Sequence, residues 1–209
     1  MKVCVDKAQK QGYHNTKHAQ MIGLGAELIS VALPVGDYVY ADEKVLEAIK
    51  RKGDRLNKMS LMGTYSYSID SKADMFEVYQ NLIGKQHPRF RDECILAMNN
   101  NIRLTILIES GPRVMSMEDV SRWRNRKAEI IFERKIRREY NIPREEDFQS
   151  ALDELREHGI RIRPPVTGEQ LAKVMMTMRD KYGVMWEFCR PEETGKIILE
   201  RLKEHHDTG

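Results

Sequence analysis

Apolar and polar positions recur along this chain with two periods, and each change of period marks a new element. KVCVD (2–6) is a short apolar run that reads as a buried strand ending on Asp6. KAQKQGYHN follows as a polar loop, and Thr16 caps a helix predicted to reach Leu24, where Gly23 and Gly25 stop it. ELISVALPVGDYVY (27–40) gives two strands broken by Pro34 and Gly36, with Asp37 opening the second. DEKVLEAIKRKG reads as an amphipathic helix, with Val45, Leu46 and Ile49 inside, acids first, bases last and Gly53 at its end. In YSYSIDSK (65–72), Tyr65, Tyr67 and Ile69 alternate with Ser66, Ser68 and Asp70, the signature of a half-buried strand. Asp70 and Lys72, two apart in extended chain, project to one side, so an acid and a base share the strand's end.

The second half carries the same two periods. RFRDECILAM (89–98) places Phe90, Cys94, Ala97 and Met98 on one helical face. IRLTILIE (102–109) is apolar without alternation, as expected of a central strand covered on both faces. Residues 116–158 read as two or three helices broken near Pro143. Thr167 and Gln170 form a capping box before Leu171, Val174, Met175 and Met178, which recur at helical spacing. VMWEFC is a strand, and Pro191 opens a last helix carrying Ile197, Ile198 and Leu202. Strand and helix alternate at both ends, so the expectation is an α/β fold, a mixed sheet with helices on both faces, in one elaborated domain over 1–209.

Composition narrows the function classes. With 41% hydrophobic residues the chain builds a real core, and a net charge of only +3 excludes a histone-like polycation. Any nucleic-acid surface must then be local. Residues 124–138 hold seven bases and two acids, with Trp123 and Phe132 interleaved, and Arg134, Lys135, Arg137 and Arg138 are the candidates for contacting DNA phosphates. Cys4, Cys94 and Cys189 are odd in number and far apart, which fits buried thiols in a reducing compartment rather than a disulfide framework or zinc ribbon. No apolar stretch approaches the roughly 18 residues of a membrane span, and the N-terminus lacks a signal-peptide run, so a cytoplasmic protein is expected.

Candidate chemistry gathers around the acid and base of residues 70–72. Asp37 lies just before the 42–53 excursion and Asp70 just after it. If their strands pair, two carboxylates converge at one sheet end beside the Lys72 ammonium. Carboxylates that close repel and raise one another's pKa unless a cation sits between them. A hard divalent ion, Mg²⁺ above all, suits one or two carboxylates plus water and substrate phosphate. Asp37 and Asp70 are thus candidate metal ligands, and Lys72 a candidate for orienting or deprotonating the attacking water. His14, Lys17 and His18 follow the first strand, where they can overhang such a site and touch phosphate. Arg89 and Arg91 lie near a helix start, which also favours anions.

In this order, LPVGDYVY, SIDSK, RFRDE and LTILIE resemble the XPF-type nuclease domain, a branch of the restriction-endonuclease-like PD-(D/E)xK fold. The chain most resembles small single-domain members encoded by bacteria and their phages. The family pattern falls on Asp6, on Gly36-Asp37-Tyr38, on Asp70 and Lys72, on Arg89 and Arg91, and on Glu109. The tail from Gly168 to about residue 204 resembles the family's closing helix-strand-helix. The resemblance implies a Mg²⁺-dependent DNA endonuclease, with Mn²⁺ able to substitute, acting in DNA repair, recombination or phage DNA processing. Catalytic Asp37, Asp70 and Lys72 are implied, with Asp6 as a further metal ligand and Asp74 or Glu109 as helpers. It also implies duplex or branched DNA as partner and pairing into a homodimer. Residues 41–64 and 113–165 stand as insertions within the family core. Phe76 occupies a position where the eukaryotic branch has an acid, DKAQK replaces the usual Arg-Glu after the first Asp, and helicase and helix-hairpin-helix motifs are missing. The rival expectation is a scaffold of the same fold that binds DNA and has lost catalysis.

Overall fold

The apolar run before Glu109 and the alternating run before Lys72 end up side by side, hydrogen-bonded in parallel in the interior of a six-stranded sheet. The protein is described by a computed structural model covering residues 1–9 and 14–208. The strands are β1 (Lys2–Asp6), β2 (Glu27–Val31), β3 (Tyr38–Tyr40), β4 (Tyr67–Lys72), β5 (Arg103–Glu109) and β6 (Met185–Cys189), in the order β2-β1-β3-β4-β5-β6. All pairings are parallel except those of β3, which runs antiparallel to both β1 and β4 with Tyr38 opposite Ile69. The α/β class and the mixed sheet are therefore as the sequence implies. Residues 10–13, part of the expected loop after β1, lie outside the described residues.

Nine helices are described: α1 (Asn15–Gly23), α2 (Glu43–Lys52), α3 (Met75–Leu82), α4 (His87–Asn99), α5 (Met117–Arg122), α6 (Arg126–Glu139), α7 (Phe148–Glu157), α8 (Gly168–Tyr182) and α9 (Thr194–Thr208). The period of two along β5 explains why apolar residues stand on both of its faces. Leu104, Ile106 and Ile108 pack with Val78, Phe90, Leu171 and Met175 of α3, α4 and α8, whereas Leu107 joins Met21, Ile198 and Leu202 of α1 and α9 on the opposite face. Each such side chain contributes roughly 1.5–3 kcal/mol relative to exposure. A third cluster seats α2 on β1 and β3 through Cys4, Val39, Val45 and Ala48.

Four expectations are corrected by the packing. β4 is not half-buried: all six of its residues are buried, because it is interior to the sheet and covered on both faces. His14, not Thr16, occupies the position before α1, and among the described residues no side chain caps that helix. Met98 is 44% exposed, since the buried stripe of α4 is only Phe90, Cys94 and Ala97. The last helix starts at Thr194, leaving Pro191 in the preceding turn. Elsewhere the local chemistry reads through. Thr167 and Gln170 form the reciprocal capping box, and three helices, α5 to α7, fill residues 117–157 with a break across Pro143. Among the described residues, no helix is long and apolar enough to cross a membrane.

Candidate active site

The turn before β3 brings Asp37 against β4. Gly36 has a φ of +72°, and a Cβ there would fall 1.8 Å from Ser68 Oγ, so only glycine lets this turn lie so close to the strand. The Asp37 amide donates to the carbonyl of Ile69 at 2.7 Å, extending the β3–β4 ladder by one step. The carboxylate then turns along β4, and its Oδ2 accepts from the Ser71 amide at 3.0 Å and from Ser71 Oγ at 3.1 Å. Ser71 Oγ is also 3.1 Å from Lys17 Nζ, and Lys17 forms an ion pair with Glu109 at the end of β5. A continuous path of hydrogen bonds therefore runs Glu109–Lys17–Ser71–Asp37.

On the other side of β4, Lys72 Nζ lies 2.8 Å from Asp70 Oδ1 and 2.7 Å from Oδ2, with Glu77 Oε1 at 4.0 Å. Asp70 and Lys72 are only 4% and 5% exposed, which corrects any picture of a solvated strand-end ion pair. The ammonium stands 5.6 Å from the centre of the Phe90 ring, within cation–π range. Burial opposes its charge, but Asp70 and then Asp37 outweigh that cost and push its pKa up. Burial raises Asp70 to about 7; Lys72 pulls it down and Asp37 pushes it up. Burial also raises Asp37, against the pull of Lys72 and the Ser71 amide.

Glu93, which sequence reasoning passed over, belongs to the same cluster. Its Oε1 accepts from the Gly36 amide at 2.8 Å, and burial, then the charge of Asp70, raises its pKa. Glu93 follows Phe90 by three residues, an acid on the apolar stripe of α4, and that misplaced charge was the available signal. Glu77 was missed because Phe76 holds the position four after Lys72; the helix begins only at Met75 and turns Glu77 back toward the strand. Asp74 caps α3 by accepting from the Glu77 amide at 2.7 Å. Among the described residues, no three of His, Cys, Asp or Glu converge tightly enough to enclose a metal ion by themselves.

The remaining candidates are placed as follows. Asp6 Oδ1 accepts from the Leu33 amide at 3.1 Å, where it ties β1 to the chain leaving β2. Lys17, expected at a DNA surface, is instead 3% exposed, because α1 lies on the sheet and its partners are Glu109 and Ser71. His14 stacks on His18 at 6.0 Å, and burial, then the charge of Lys17, lowers its pKa to about 4. His18 Nε2 is 3.2 Å from the Tyr38 hydroxyl. Arg89 is exposed one turn before Glu93 on the same face of α4, and Arg91 is exposed and paired with Asp92 at 3.0 Å. Arg134, Lys135 and Arg138 are exposed on α6, away from its single buried residue, Ile136; Arg137 pairs with Glu133 at 2.8 Å.

No protein-family model matches the chain, and no curated protein matches it by sequence. Its fold does match solved structures. XPF from Aeropyrum pernix in complex with DNA superposes with a TM-score of 0.52 at 13% identity, over 99% of this chain and 66% of that one. A second structure of XPF from Aeropyrum pernix gives 0.50 at 15% identity, over 98% and 61%. The chain thus spans less than two thirds of the length of each. Across almost all of its own length, this chain has the XPF-type nuclease fold that the resemblance of its motifs implies.

Proposed function

We propose that the protein is a Mg²⁺-dependent DNA endonuclease that hydrolyses phosphodiester bonds, with Asp37 and Asp70 as metal ligands and Lys72 as the residue that addresses the attacking water. The observation that carries this reading is a charge imbalance under cover. Burial pushes Asp37, Asp70 and Glu93 all toward the neutral form, and Lys72 is the one cation that opposes this at all three, joined by Lys58 at Glu93. Two buried carboxylates that share one buried ammonium are a donor set suited to a hard divalent ion that keeps several waters and takes a phosphate oxygen. A bound Mg²⁺ would supply a water of lowered pKa and neutralise charge gathering on the phosphate.

The chain's own residues have separable parts. Ser71, itself held by Lys17, fixes the orientation of Asp37. Asp70 holds the Lys72 ammonium in place through both carboxylate oxygens, so Lys72 acts as a hydrogen-bond donor to the water or to a phosphorane oxygen. Exposed Arg89, with Arg134, Lys135 and Arg138 on α6, offers phosphate contacts that position the DNA without reading sequence. The DNA complex of the similar Aeropyrum pernix protein supports DNA as the partner. DNA repair, recombination or phage DNA processing, in the cytoplasm and as a homodimer, is the setting we propose.

The rival reading is a scaffold that binds DNA without cutting it. It draws on the finding that, among the described residues, no three His, Cys, Asp or Glu side chains converge closely enough to enclose a metal ion. Incubation of the purified protein with duplex, single-stranded, flap and junction DNA, in Mg²⁺, Mn²⁺ or EDTA, separates the two. Cleavage that needs the divalent ion supports the endonuclease. Binding with no cleavage in either metal supports the scaffold.

A further inference from the structure

A second basic surface lies apart from the carboxylates, where α3 meets the 113–165 segment. A cleft of about 360 Å³ opens there, lined by the aromatic rings of Phe76, Tyr79 and Phe132 and by the cations of Lys127, Lys135 and Arg163. Among the described residues, no carboxylate lines it. None of the three cations takes part in an ion pair among the described residues, and the nearby acids of α6 are engaged elsewhere, Glu129 with Arg124 and Glu133 with Arg137. Phe76 and Tyr79 lie nearly parallel, 17° apart with centres 6.3 Å from one another, and Lys127 Nζ stands 5.1 Å from the Phe76 ring. Beside the cleft Ile131 is 57% exposed, so the segment forms an open face and not a closed core.

From this geometry we infer that the cleft is a subsite for an unpaired nucleotide of single-stranded DNA. Flat aromatic faces take a base by stacking, which every base permits, and unpaired cations around them take the flanking phosphates. Duplex DNA keeps its bases stacked inside and would use only the cations. The inference rests on the reading of DNA as substrate and deepens it by naming the strand state that this surface selects. Position supports it. Phe76 follows Lys72 by four residues, so the two Cα atoms lie at most about 15 Å apart. A stacked strand covers that in about four nucleotides at 3.4 Å each. The cleft therefore lies within the reach of a short strand from the candidate active site.

The test uses the full chain carrying Asp70→Asn, so that DNA stays intact, and fluorescence anisotropy with a labelled oligothymidine and a blunt duplex of equal length. Phe132→Ala should weaken single-strand binding roughly 5- to 150-fold, the range of one lost base–aromatic stack, and change duplex binding far less. Lys127→Ala with Lys135→Ala, both on an exposed helix, should flatten the single-strand salt dependence by about 1.4 in the log–log slope. A 2-aminopurine placed in the oligonucleotide should be quenched on binding, and the quench should be lost in Phe132→Ala. Equal weakening of duplex and single strand, an unchanged salt slope, or displacement of the oligonucleotide by polyglutamate at matched charge would overturn the subsite. Cleavage by the unmodified protein is scored separately. Cutting in Mg²⁺ with normal single-strand binding by the cleft variants removes the subsite alone. Loss of single-strand binding in a protein that never cuts removes the nuclease reading alone.

Discussion

Replacing Lys72 with methionine removes the ammonium from a buried cluster while keeping most of its packing volume. In the native protein that ammonium meets both oxygens of Asp70 at 2.7–2.8 Å, with Glu77 at 4.0 Å. At an effective dielectric of about 20 the closest contact alone is worth about 6 kcal/mol of Coulomb energy. Desolvation of both charges offsets much of that, and removing one partner of a buried pair costs about 3–5 kcal/mol. Asp70 can respond by taking up a proton, since its pKa is already raised to about 7 with Lys72 present, and this favours the lower end. A loss of about 3 kcal/mol corresponds to a fall in Tm of roughly 6–12 °C for a chain of this size. Differential scanning fluorimetry at pH 7.5 in EDTA reads this directly. If the carboxylates also hold a divalent ion, Mg²⁺ at about a hundred times its Kd should return about 2.7 kcal/mol. A variant melting within 2 °C of wild type in EDTA would refute the buried-charge reasoning.

Three further outcomes test the supports around the site. Gly36→Ala places a Cβ 1.8 Å from Ser68 Oγ at a φ of +72°, so it should lose at least about 2 kcal/mol in urea unfolding and displace Asp37; a loss under about 0.5 kcal/mol contradicts the close approach. Lys17→Met should lower kcat with little change in KM, because Ser71 and Asp37 lose their anchor; pairing it with Glu109→Leu should restore stability but not kcat, and recovery of both would make the ion pair merely structural. Burial pushes the thiols of Cys4 and Cys94 up to about 12 and that of Cys189 to about 11, so native protein at pH 8 should resist a thiol reagent that labels all three after unfolding; rapid labelling of any one contradicts the packing.

Most of the strand and helix pattern was legible because it follows local periodicity. β5 carries apolar residues on both faces, with Thr105 the one polar residue among its buried positions, because both faces are covered, and the capping box at Thr167 needs only four consecutive residues. The pairing of β3 with β4 was legible because an amphipathic helix fills the excursion between them, and the Asp70–Lys72 pair because the two residues stand two apart on one strand. Depth was not legible. Ser66, Ser68 and Asp70 alternating with apolar residues imply an exposed face, yet Ser68 Oγ donates to the Val35 carbonyl and Asp70 pairs with Lys72, so both are buried with polar partners. Lys17 looked like a surface base for the same reason: its partner Glu109 is 92 residues away. Glu93 escaped notice because its significance depends on the tertiary approach of Gly36.

The claim that Asp37, Asp70 and Lys72 cut DNA with the help of a divalent ion is tested most directly by single-turnover cleavage in Mg²⁺, comparing wild type with Asp70→Asn. The substitution preserves shape and removes the charge assigned to the metal. The account predicts that wild type cleaves, that EDTA stops it, and that Asp70→Asn falls to the EDTA background while anisotropy shows DNA binding retained or tightened. Equal cleavage by wild type and Asp70→Asn in Mg²⁺, or cleavage by neither in Mg²⁺ or Mn²⁺, would contradict it.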